Sequence, residues 1–337
     1  MVSLVIIFFL VLLLPLTLKF VERNLELFLF VMGIVAAVVG GVMSSTLFVK
    51  ATIDPVKITV AVLLAGLLFK WFHTPLNKMI NELSRILSFR LFVALSVTIL
   101  GLISSMITAI IASLVLVLIV SAMKLERRDQ IRFVVLACYS IGLGAALTPI
   151  GEPLSTITIS KLNGDFLYLT RLLGIEVVTA LIILGLLSAF LVNPSTRRKD
   201  VKSKVSQSEG YDEIINRSLK VYFFVMGLTF LGAGFEPMIK SIFLDLHPAL
   251  LYWINMISAI LDNATLSAAE ISPVMDETTI RSILLGLLIS GGMLIPGNIP
   301  NIIAAGKLQI TSKEWASFGV PVGLISMVIY YVWLFVL

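Results

Sequence analysis

Three carboxylates stand where the chain is otherwise too apolar to hold a charge without cost. Asp262 lies in Leu261-Asp-Asn-Ala-Thr265, Glu152 in Thr148-Pro-Ile-Gly-Glu-Pro153, and Glu270 about two helical turns beyond Asp262. An ionisable side chain in an apolar run of membrane length is expensive and marks an ion or proton pathway. Asp262, Asn263 and Thr265 bring together a carboxylate, an amide and a hydroxyl, hard oxygen donors that suit Na+, with carbonyls freed at a helix break to complete the set. Asp262 is also a good helix N-cap, and the two roles are compatible. Glu152 would bind a cation or carry a proton. Glu270 would be a second proton or ion site, or would pair with Lys or Arg near the surface. Neutral ligands are available at Ser258, Asn298 and Asn301 in the second half, and at Ser104, Ser105, Thr108 and Thr148 in the first. The one cysteine, Cys138, excludes an intramolecular disulfide and a cysteine metal cluster. No catalytic motif is present, so the expectation is a non-enzyme without a cofactor, using Na+ or H+ as a coupling ion.

These residues sit in two copies of one pattern. Ser104–Ile111, an apolar arm, Thr148–Pro153 and an apolar run ending Lys161-Leu162 are followed, in the second half, by Ser258–Thr265, an apolar arm, Ile295–Pro300 and a run ending Lys307-Leu308. In each half a Pro-x-x-x-Pro interrupts a hydrophobic segment, with Pro149, Gly151 and Pro153 as hinges of one break and Pro296, Gly297 and Pro300 of the other. Paired Gly/Pro-broken segments at corresponding places point to a secondary transporter and to its binding site. Asp262-Asn263 aligns with Thr108-Ala109, and Glu152 roughly with Ile299.

The elements that must position them are membrane helices. The chain has 337 residues, 58% of them hydrophobic and 13% charged, with a mean hydropathy of +1.05. No soluble fold buries so many long apolar runs. Met1–Leu18 lacks a basic start and a cleavage site and reads as a retained helix. Runs 91–123 and 249–275 are too short for two spans of ~20 residues each and are polar near the middle. Both read as re-entrant hairpins, whose non-helical tips must face protein or water. The expected fold is therefore all-α and integral to the membrane, with about eight transmembrane helices, two of them discontinuous, and two hairpins. Residues 1–90 form scaffold helices plus an amphipathic surface helix at Pro75–Phe89; 91–192 are repeat 1; 193–217 a linker; 218–337 repeat 2. With 193–217 cytoplasmic, all Lys and Arg but Lys50, Lys57, Lys161, Arg171, Lys240 and Arg281 fall inside, as the positive-inside rule demands. That rule, rather than nucleic-acid binding, accounts for the net charge of +5. The same scheme opposes the hairpins, so the repeats are inverted. Glu236–Leu246 reads as a second surface helix or a plain connector. Trp71, Trp315, Trp333, His73, His247 and Glu176 read as interfacial.

Ser-x-x-x-Asp-Asn-x-Thr over Ser258–Thr265, then Gly292-x-x-x-Pro-x-Asn-x-Pro-Asn301 and Ala305-Gly-Lys307, resembles the ion transporter superfamily. That group includes NhaD-type sodium/proton antiporters, arsenite pumps and sodium–dicarboxylate carriers; within it the chain looks most like a prokaryotic family of putative cation transporters. The resemblance covers about 90–335. It implies an inverted-repeat transporter of the prokaryotic cell membrane, working as an elevator and forming a homodimer. It maps the hairpin motif onto Ser258, Asp262, Asn263 and Thr265, and the broken-helix motifs onto Thr148–Pro153 and Pro296–Asn301. Thr108-Ala109 departs from the Asn-Thr or Asp-Asn that relatives carry. Cation/proton exchange is the leading expectation, and Na+-coupled symport of a small organic or inorganic anion the alternative.

Overall fold

The computed structural model describes residues 2–18, 20–21, 24–123, 125–194, 210–243, 247–256, 263–271 and 275–336; of some helical residues, most of them between 54 and 85, it describes the backbone alone. These residues form helices and turns, with no strand among them. In chain order the helices are α1 (Val2–Thr17), α2 (Leu25–Val39), α3 (Ser45–Ile86), α4 (Phe89–Ile107), α5 (Ala109–Met123), α6 (Arg127–Ala145), α7 (Pro153–Leu162), α8 (Tyr168–Leu191), α9 (Tyr211–Phe243), α10 (Pro248–Ile254), α11 (Asn263–Glu270), α12 (Glu277–Gly291), α13 (Ile299–Leu308) and α14 (Ser312–Phe335). Among the described residues, α4, α8, α9 over Tyr211–Met238, and α14 are long and apolar enough to cross a membrane. The chain is an α-helical membrane protein.

The surface helix expected at Pro75–Phe89 is not a separate element. One helix, α3, runs through both Pro55 and Pro75. Proline removes one backbone donor, yet its fixed φ is helical, so a helix held by packing on its neighbours can run past it. For the same reason α9 continues through Pro237 to Phe243, across most of the stretch 236–246 expected as a surface helix or connector.

Helices α2 and α9 lie side by side and parallel. Glu26 pairs with Lys220 at 3.8 Å, Gly33 abuts Gly227, and Gly40 abuts Gly234, a constant separation of 194 residues. A Cβ on any of these glycines would strike the facing backbone, so small residues are what allow the approach. Helix α9 also packs on α3, which joins it to the N-terminal helices.

Two sets of five helices, α4–α8 and α10–α14, follow in the same order and make matching contacts. Helix α4 packs on α6 as α10 packs on α12; α5 lies on α3 as α11 lies on α9. Across the sets, α5 packs against α13 and α11 against α7. Polar contacts at helix ends divide into two groups. In one, Arg127 holds Glu314 and donates to the Leu308 and Gln309 carbonyls, while Arg132 donates to the Leu191 carbonyl. In the other, Lys161 donates to the Ile271 carbonyl and Arg281 pairs with Glu176. The start of α6 and the end of α13 belong to the first group. Their counterparts, the start of α12 and the end of α7, belong to the second.

Candidate functional site

Both helix breaks are built alike. Helix α6 ends at Ala145 and resumes as α7 after Glu152; α12 ends at Gly291 and resumes as α13 after Asn298. Glu152 (φ −155°, ψ 161°) and Asn298 (φ −154°, ψ 147°) hold the same extended N-cap conformation. Both resumed helices close on a left-handed residue, Asn163 and Gln309. A Cβ on Gly151 would overlap the Ala145 carbonyl, and one on Gly297 the Gly291 carbonyl. The Ser155 hydroxyl donates to the Ala146 carbonyl at 3.0 Å, with Ala145 at 3.4 Å; the Asn301 amide donates to the Gly291 and Leu294 carbonyls at 2.9 Å each. Ala145/Gly291, Gly151/Gly297, Glu152/Asn298 and Ser155/Asn301 all stand 146 residues apart. Glu152 is therefore the counterpart of Asn298, not of Ile299. Aligning the two Pro-x-x-x-Pro runs misleads by one residue: Pro153 opens α7, whereas Pro300 is the second residue of α13.

The flanking helices meet these breaks. Helix α4 ends at Thr108, whose φ of +74° is strained for a β-branched residue; its carbonyl accepts from Ala112 as α5 begins. The Ala109 amide donates to the Gly151 carbonyl at 3.0 Å, the Thr148 hydroxyl to the Ser105 carbonyl, and the Ser104 hydroxyl to the Ile141 carbonyl at 2.9 Å. Ser105 itself donates to Leu102. The Ser104 and Thr148 hydroxyls thus fasten α4 to α6 and to the first break, while Ser105 bonds within its own helix. Gly101 and Gly144 allow the crossing, since a Cβ on Gly144 would enter the Gly101 carbonyl.

In the second half, Ser290 donates to the Asn255 carbonyl and Asn255 to the Ile283 carbonyl. Asn263, the first residue of α11, is buried, with its amide nitrogen 3.8 Å from where a Cβ on Gly291 would lie. That nitrogen has no hydrogen-bond partner among the described residues. Asp262 and Ser258 lie outside the described residues, as does the side chain of Thr265.

Two parallel contacts set the level of each arm. Thr158 and Ser267 share a hydrogen bond of 2.8 Å, and Lys161 reaches Ile271. Followed back about one turn, the same register puts Asn263 level with Leu154, beside Glu152. On the other side Leu114 and Ile303 share a cluster with Ile110 and Ile299, one turn earlier on each helix, which puts Ala109 level with Asn298. Glu152 is only 5% exposed and Asn298 is 7% exposed, with its amide nitrogen against Gly142 of α6. Asn301 is fully buried and its two N–H groups are committed to backbone, leaving its oxygen.

Other placements differ from expectation. Trp315 is buried inside the fold: its indole donates to the Gly292 carbonyl at 3.1 Å, in the second break, and packs over Gly319. Trp71 and Trp333 are exposed. Glu176 is buried and paired with Arg281 at 3.3 Å, its carbonyl accepting from Tyr330. The pairing joins residues distant in sequence, so no local pattern announced it. His247 caps α10, its ring accepting from the Ala249 amide. Outside the helices, the Thr279 hydroxyl and amide hold Asp276 below the ordinary carboxylate range.

No curated protein matches the chain. Over residues 1–337 it matches the family described as "Protein of unknown function (DUF1646)", and the chain belongs to that family.

Proposed function

We propose that the protein is a secondary active transporter that exchanges Na+ or another monovalent cation for protons. The observation that carries this reading is the pair of breaks in one register, each opposite the start of an arm from the other half, with a buried carboxylate in one of them. Asp262 precedes Asn263 in the chain, so covalent geometry keeps its Cα within about 3.8 Å of a residue level with the first turn of α7. Glu152 and Asp262 would alternate between cation and proton, with Asn263, Thr265, Asn298 and the lone pairs of Ser104 and Ser105 as neutral ligands. Two close carboxylates either draw a cation between them or share a proton.

The halves would be inverted repeats, with α4–α5 and α10–α11 as re-entrant hairpins opening to opposite sides. The division of end contacts into two groups, with counterpart ends in opposite groups, supports that arrangement. The Arg127 group would be cytoplasmic, together with 193–217, in the cell membrane of a prokaryote. Hairpins and broken helices would move as one body against α1–α3 and α9, in the elevator manner that the resemblance implies, within a homodimer.

In liposomes with a trapped pH dye, external Na+, Li+ or K+ should alkalinise the lumen, and Glu152→Gln and Asp262→Asn should each abolish the response. Full exchange in both variants would remove these residues from the site. No pH response to any cation would overturn exchange. Na+-coupled anion symport is the alternative, favoured by one feature: the break before α7 leaves a helix N-terminus beside α11, and a helix N-terminus favours a negative ligand. Dicarboxylate or oxyanion uptake driven by a Na+ gradient would establish it.

A further inference from the structure

Two buried carboxylates in the second contact group are treated in opposite ways. Glu176 is 7% exposed and has the guanidinium of Arg281 at 3.3 Å. Glu270, the last residue of α11, is 8% exposed, and neither of its oxygens has a hydrogen-bond partner among the described residues. An ionised carboxylate is acceptor-only and needs donors or a counter-charge when buried. The helices packed on α11 are α7, α9 and α12. Their flanking charged groups are Lys161, Glu236, Glu277 and Arg281, and none forms an ion pair with Glu270 among the described residues. The Lys161 amine donates instead to the Ile271 carbonyl, one residue on, at 3.2 Å. Beside Glu270 lies the Asn255 side chain, fully buried at the end of the facing arm. Its Oδ1 also lacks a partner among the described residues. Among the described residues, Lys161 and Arg281 are thus held by other partners, and the side chain beside Glu270 is the neutral amide of Asn255.

We propose that Glu270 is a proton-carrying site separate from the ion site at the helix starts: it is protonated in this conformation, donates towards the Asn255 oxygen, and gives its proton to the side on which α11 ends. It lies about 10 Å along α11 from Asn263, too far to ligate an ion bound there. The site deepens the exchange reading, on which it rests for its purpose, by supplying the proton's way in or out.

Infrared difference spectra of the full chain in detergent, between acid and alkaline pH, read the carbonyl band of protonated carboxyls directly. The expected result is a component that survives well above the ordinary carboxylate range, is lost in Glu270→Gln and persists in Glu176→Gln. Should Glu270→Gln fail to fold, Asn255→Leu takes its place and should shift that component's frequency by removing its acceptor. A spectrum unchanged by the Glu270 substitution, or by Asn255→Leu where that stands in, overturns the proposal. The measurement involves no transport, so absence of cation/proton exchange leaves this outcome intact, and loss of the proton site leaves the liposome result intact.

Discussion

At the starts of α7 and α11 the structure sets Leu154, beside Glu152, level with Asn263; at the starts of α13 and α5 it sets Asn298 level with Ala109. At the two breaks the backbone is the same, down to the N-cap dihedrals and the glycine pressed on a carbonyl. Only the side chains differ. One junction carries a carboxylate, with another in the residue preceding α11; the other offers an amide and a hydroxyl. The repeated fold thus builds a geometry, and substitution within it assigns charge to one side.

The sharpest way to break this comparison is to remove the acid. Glu152→Gln should lower coupled exchange by about two orders of magnitude or more, the scale on which a positioned proton-transfer group acts. Asn298→Ala should mainly weaken cation affinity and leave the pH dependence in place. Exchange rates in liposomes, taken across cation concentration and pH, separate the two. Equal losses with equal pH profiles would make the junctions equivalent.

Next in size is the test of shared geometry. Gly151→Ala and Gly297→Ala each drive a Cβ into a helix-end carbonyl that cannot swing aside. Each should cost about 2–3 kcal/mol, as overpacking does, read as matching falls in thermal stability. If one substitution is tolerated, the two breaks are not built alike.

How far the sequence foretold these features depends on the range of the signal. Proline and glycine mark both breaks locally, and the structure puts helix ends at Ala145 and Gly291 where the apolar runs are interrupted. The register escaped, because the proline pairs repeat one residue out of step with the N-caps and glycine contacts. Pro75 begins no new element, because the helix of Ser45–Ile86 runs on through it where a break before the amphipathic stretch was expected. Trp315 and Glu176 escaped for a different reason. Their partners, Gly292 and Arg281, come from other helices, and the interfacial rule uses only distance from a run end. The hydroxyls of Ser104 and Thr148, read as ligands, also fasten one helix to another, which no composition distinguishes from ion binding.

A smaller effect separates the caps that close the breaks. Asn301 makes two hydrogen bonds of 2.9 Å to Gly291 and Leu294; Ser155 makes one good bond, to Ala146 at 3.0 Å, and a long one. Asn301→Ala removes the hydrogen bond to the Gly291 carbonyl and leaves Leu294 with only the Gly297 amide at 3.3 Å, and should cost about 2 kcal/mol, while Ser155→Ala should cost about 1 kcal/mol. Thermal unfolding in one detergent ranks them, and the reverse order would mean that the second break is held elsewhere.

The smallest effects lie at the ends of the helices, where the two contact groups differ in kind. Arg127 grips Glu314 with two nitrogens and reaches the Leu308 and Gln309 carbonyls, so it closes α13 and fixes the start of α14 at once. The bidentate geometry and the capped carbonyls together should make Arg127→Ala cost about 1 kcal/mol. Arg171 meets Asp165 in the opposite loop at 2.8 Å, but both side chains are mostly exposed, at 60% and 64%. Water and salt screen such a pair, and ordering two mobile side chains offsets what attraction remains. Arg171→Ala should leave the melting temperature unchanged at low and high salt alike. A salt-sensitive fall in that variant, with none in Arg127→Ala, would reverse which of these two pairs contributes to stability.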